Sequence, residues 1–86
     1  MNVQDQLREY IVTQFLYDQN NKALDQDVDL LNEGIVDSMG ILQIVNFMEE
    51  KFGVRVADDE ITPEIFRSLR TLTEFVEEKR NTPAMA

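Results

Sequence analysis

Apolar residues recur along this chain at helical spacing in four separate stretches. In the first, Leu7, Ile11 and Phe15 follow i, i+4, i+8, with Tyr10 and Leu16 beside them, while Gln4, Arg8 and Gln14 fall on the wet face. This predicts a helix from Asn2 or Val3 to about Tyr17. In the second, Ile44, Met48 and Phe52 form the stripe, widened by Ile41, Val45 and Leu42. Asp37 and Ser38 are residue types that cap a helix start and Gly53 is the type that ends one, so this helix is predicted over Ser38–Phe52. Thr62-Pro63-Glu64 opens a short third helix, packed by Ile65, Phe66 and Leu69. Thr71-Leu72-Thr73-Glu74 reads as a capping box that launches a fourth helix to about Lys79, with Leu72, Phe75 and Val76 inward.

Between the first two helices, Asp18 to Val36 is polar and longer than most connections in a compact domain. Leu24, Val28, Leu30, Leu31, Ile35 and Val36 argue that it packs down on the bundle as an ordered crossover. Val54-Arg55-Val56 alternates like a strand but has no pairing partner, and reads as extended loop. The expected fold is therefore all-α: a small four-helix bundle with a long loop between helices 1 and 2 and a short third helix. The chain reads as one domain over 1–86, with a core from about 3 to 80 and a flexible tail at 81–86.

Composition narrows the chemistry. The 86 residues include no cysteine and no histidine, which removes disulfides, thiolate zinc sites and the commonest general base. A hydrophobic fraction of 43% must supply the core alone. The net charge of −9 is lopsided: residues 1–50 hold two basic side chains against ten acidic ones, and residues 51–86 six against seven. Such a surface repels nucleic acid and anionic membrane and favours basic protein partners. The N-terminus has no basic and apolar leader, and no apolar run reaches membrane-spanning length, so the expected compartment is the cytoplasm with no membrane insertion.

Asp25, Asp27 and Asp29 match the first oxygen positions of an EF-hand loop. The match then fails at Leu30, where glycine is required, and at Val36, where a glutamate is required. No metal site is expected. Nor is a catalytic residue, because nothing activates a nucleophile and no phosphate-cradling glycine loop is present.

What remains is a serine at the mouth of the second helix, where unpaired N–H groups and the positive end of the dipole favour an attached phosphate. Asp37-Ser38-Met39 followed by an amphipathic helix resembles the prosthetic-group site of acyl carrier proteins. Glu49-Glu50-Lys51-Phe52-Gly53-Val54, Ile61-Thr62-Pro63-Glu64 and the Leu-Thr-Glu start of the fourth helix extend the resemblance from about Val3 to Arg80. It implies that Ser38 carries 4′-phosphopantetheine, donated by coenzyme A through a phosphopantetheinyl transferase that Asp37 helps engage, and that the arm supplies the thiol this chain lacks. Acyl or aminoacyl groups then ride as thioesters on a non-enzymatic, monomeric carrier.

Fatty-acid carriers place further acidic residues at the positions held here by Gly40 and Gln43. Asp-Ser-Met-Gly looks more like D-alanyl and free-standing aminoacyl or peptidyl carriers, whose partners are an adenylating ligase and downstream acyl-transfer enzymes. The partner surface implied is Met39, Gly40, Leu42, Gln43, Phe47, Glu49 and Glu50. Fatty-acid intermediates are the alternative cargo. From a different class, an unmodified helical adaptor docking through Met39, Leu42 and Phe47 is the competing function.

Overall fold

A computed structural model describes residues 2–15 and 24–81 and is all-helical there, with no strand. Asn2 starts helix α1, Val3–Phe15, by accepting the Asp5 N–H at 2.8 Å. Val3, Leu7 and Ile11 are buried along one face, as the spacing requires. Leu16 and Tyr17, expected to continue this helix, lie outside the described residues, as does the crossover from 18 to 23.

From Leu24 the crossover packs down. Leu24, Leu30 and Val36 are buried, and Leu30 accepts the N–H groups of both Ile35 and Val36 on its carbonyl, at 3.0 and 3.1 Å. That reversal runs through Gly34 at φ 74°, a left-handed conformation that glycine adopts without steric cost. The Arg8 guanidinium reaches across to the Leu24 carbonyl at 3.0 Å, so a residue expected on the wet face holds the returning chain.

Helix α2 spans Ser38–Phe52, with Gly40, Ile44 and Met48 buried. Gly53 ends it at φ 70°, its N–H on the Glu49 carbonyl at 3.1 Å. The chain then runs extended, burying Val54 and Val56, to a 3-10 turn at Asp58–Glu60. Helix α3, Leu69–Asn81, buries Leu69, Leu72, Phe75 and Val76. Helices α1 and α3 form the principal pair, and α2 packs more lightly against α3. The side chains of Leu7, Ile11, Leu30, Ile44, Met48, Phe66, Leu69 and Leu72 are fully enclosed. Each such burial contributes about 1.5–3 kcal/mol toward offsetting chain entropy.

Two expectations change here. The short third helix is a single turn: Phe66 donates to the Thr62 carbonyl at 3.2 Å, and the turn stops there. The Arg67 carbonyl is taken by the Leu30 N–H at 2.6 Å, which draws the backbone toward the crossover. One turn has no internal stability to resist that. The last helix also starts earlier than expected. Ser68 is its cap, accepting the Thr71 N–H at 3.2 Å, while the Thr71 hydroxyl accepts the Ser68 N–H at 3.1 Å. Thr71, expected at the cap, is the third helical residue. At the other end the helix includes Asn81, assigned above to the tail.

Candidate functional site at the start of α2

The Gly34 turn and the buried Val36 deliver the chain to Asp37, whose extended backbone (φ −115°, ψ −169°) and carboxylate make it the N-cap of α2. Its Oδ1 accepts the Gly40 N–H at 2.9 Å, and its carbonyl accepts that of Ile41 at 2.9 Å. Ser38 is therefore the first helical residue rather than the cap. It is exposed, and among the described residues no group hydrogen-bonds its hydroxyl. The N–H groups of Ser38 and Met39 stay outside the capping bonds, at the positive end of the helix, a setting that favours an anion. Ser68, the chain's other serine, is 5% exposed and its hydroxyl is committed to Thr71.

The residues expected around Ser38 separate once side chains are placed. Met39 and Leu42 are 67% and 56% exposed, the two large apolar side chains left in solvent among the described residues. Gln43 and Glu50 are also exposed. Gly40 is not on the surface: it is buried against Phe15 and Val36. Phe47 does not border the site. Nine residues at 3.6 per turn carry it about half a turn around from Ser38, where it stacks on Tyr10 with ring centroids 4.1 Å apart. An open groove of about 550 Å³ runs there between α1 and α2, bordered by Tyr10, Phe47 and Lys51. Glu49 shares the Ser38 face, yet its Oε2 accepts the Val56 N–H at 2.9 Å and fastens the extended segment to α2.

The aspartates of the crossover also have structural uses. Asp25 accepts the Asp27 N–H at 2.9 Å, Asp29 accepts the Asn32 N–H at 3.0 Å, and Asp27 meets Arg70. Among the described residues no group of acidic side chains is arranged to hold a metal ion. Nor is any described helix long and apolar enough to cross a membrane.

The site therefore offers an exposed serine on the first turn of a capped helix, within reach of another protein. The chain belongs to the phosphopantetheine attachment site family, whose profile matches residues 5–77. It is similar to a D-alanyl carrier protein of Abiotrophia defectiva, 34% identical over 64% of this chain and 70% of that one. It is 30% identical to the probable acyl carrier protein PigG of a Serratia species, over 94% of this chain and 92% of that one. The solved structure of apo KstB-PCP superposes with a TM-score of 0.77 at 34% identity, covering 100% of this chain and 94% of the other. The protein is accordingly a carrier that bears covalent 4′-phosphopantetheine and presents acyl or aminoacyl groups. Carriers of this family act with a phosphopantetheinyl transferase and with the enzymes that load and unload them.

Proposed function

We propose that Ser38 is the attachment point and that the cargo is an amino acid or specialised acid delivered by an adenylating ligase. The observation that carries the first part is the contrast between the two serines: Ser38 is exposed at a helix mouth, and Ser68 is buried and engaged as a cap. In the modification, the Ser38 oxygen attacks the β-phosphorus of coenzyme A, a phosphodiester forms and adenosine 3′,5′-bisphosphate leaves. The transferase takes the serine proton, since no histidine is present to do so. The bound arm then supplies a thiol for thioester formation.

The cargo assignment rests on the surface beside Ser38. Met39 and Leu42 present apolar area, and Gln43 is uncharged where fatty-acid carriers place a carboxylate. Rim charges mainly raise encounter rates and salt dependence, so a site lacking one suits partners that dock by apolar contact. The named similarities to D-alanyl and PCP proteins support the same choice.

The test has two arms. Incubation with coenzyme A and a transferase should add the mass of one phosphopantetheine to the native chain and nothing to Ser38→Ala; a modified Ser38→Ala would end the site assignment. The holo protein is then offered to an amino-acid adenylating ligase and to malonyl-loading and elongation enzymes at physiological salt. Efficient elongation with no ligase response would overturn the cargo assignment. Gln43→Glu should shift preference toward the elongation enzymes. The position of Gly40 is unsuited to the same experiment because it is buried.

A further inference from the structure

Gly40 stands where a helix would ordinarily carry a side chain, and glycine is a poorer helix former than alanine. Its neighbours account for it. A Cβ at this position would lie 2.9 Å from Cε1 and 3.2 Å from Cζ of Phe15, and 3.1 Å from Cγ1 of Val36. The last described residue of α1 and the residue just before the Asp37 cap therefore both close onto one backbone position, two residues from Ser38.

The Phe15 ring is braced on one side. It lies edge-on to Tyr10 with centroids 6.3 Å apart at 79°, and Tyr10 stacks on Phe47 at 17° while its hydroxyl donates to the Gln43 carbonyl at 3.3 Å. Phe47 in turn meets Phe52 edge-to-face at 5.8 Å. Phe15, Tyr10 and Phe47 thus back α2 on the side away from the serine. Gly40 also donates its N–H to Asp37, so whatever moves Gly40 disturbs the cap that sets the orientation of Ser38.

We propose that Phe15 and Gly40 are a positioning pair for Ser38: the ring, propped by Tyr10 and Phe47, sets the height and tilt of the first turn of α2 and so the presentation of the serine to the modifying transferase. The inference rests on Ser38 being the modified residue. Neither residue touches the Ser38 hydroxyl; the Phe15 ring and the Gly40 backbone act through the capped turn.

The experiment compares the native chain with Gly40→Ala, Phe15→Leu and the double variant. Three quantities are read: kcat/KM for phosphopantetheine transfer, the thermal midpoint, and amide hydrogen exchange at residue 40. In Gly40→Ala the gain in helix propensity opposes the cost of crowding the new Cβ against Phe15 and Val36, so its midpoint should fall by no more than a few degrees. Its transfer rate should fall on the order of tenfold, the scale expected for a sub-ångström misplacement, and its residue-40 amide should exchange faster as the bond to Asp37 loosens. Phe15→Leu in the same chain should restore most of both. Transfer and exchange in Gly40→Ala equal to those of the native chain would overturn the pairing, and so would a double variant no better than Gly40→Ala. A native chain that accepts no phosphopantetheine would instead strike the Ser38 assignment, and the exchange measurements would still decide whether Phe15 and Gly40 set the turn.

Discussion

Arg70 holds Asp27 with two nitrogens, Nε at 2.6 Å from Oδ1 and Nη2 at 3.0 Å from Oδ2, joining residues 43 apart in sequence. Its backbone N–H also donates to the Gln26 carbonyl at 2.9 Å. One residue near the start of α3 thus fastens the crossover by side chain and main chain together. The hydrogen bond and charge of Arg70 hold the Asp27 carboxyl below its ordinary value.

Both partners of this pair are solvent-exposed, so salt should screen it. Arg70→Ala should speed amide exchange at Leu30, whose N–H meets the Arg67 carbonyl at the same junction, while leaving α1 protected. The difference from the native chain should shrink at high salt. Unchanged exchange at Leu30 in low salt would show that the main-chain bonds hold the crossover without the side chain.

Ser68→Ala should destabilise the fold by about 1 kcal/mol through loss of the α3 cap, a fall in thermal midpoint of roughly 4–8 °C for a domain of this size. Ser38→Ala, at an exposed first-turn position that makes no capping bond, should melt with the native chain. Thermal melts of the two variants side by side check this. Equal losses would mean that Ser38 has a structural role.

Asp37 combines capping geometry with charge, and two substitutions separate them. Asp37→Asn keeps an oxygen for the Gly40 N–H and should leave the midpoint nearly unchanged; Asp37→Ala should cost about 1 kcal/mol. If the charge engages the transferase and its metal ion, both variants should be modified slowly. An Asp37→Asn chain modified at the native rate would reduce the residue to a cap.

Glu60 ties the 3-10 turn to α3, accepting from Lys79 at 2.7 Å and from the Ala57 N–H at 2.9 Å. The Lys79 hydrogen bond, then that of Ala57, draws its carboxyl below the ordinary range. A depressed folded value means the stabilisation is complete above the unfolded glutamate pKa, about 4.3, and is lost as pH falls through the folded value. Glu60→Gln should therefore lie below the native chain by up to ~1 kcal/mol at neutral pH. The gap should hold down to about pH 5 and close in acid below the unfolded value. Urea melts across that range check it, and a gap unchanged in strong acid would contradict the assignment.

Much of the candidate site's backbone geometry was legible in the sequence because its determinants are local. Asp37, Ser38 and Gly53 bracket α2 within their own neighbourhood, and the observed helix runs over the predicted residues. The apolar periods of α1 and α2 likewise marked Leu7, Ile11, Ile44 and Met48 as core. Other features depended on partners distant along the chain. Leu30 takes the Arg67 carbonyl, which ends the Thr62 turn and makes Ser68 the cap in place of Thr71. Arg70 occupies the middle aspartate of an apparent calcium loop. Phe15 fills the space above Gly40, so a residue expected on the partner surface is buried beneath an aromatic ring. Local propensity and periodicity specify where helices run and where a serine meets a helix mouth; which competing cap, carbonyl or carboxylate is used is decided when the crossover, α1 and α3 close on one another.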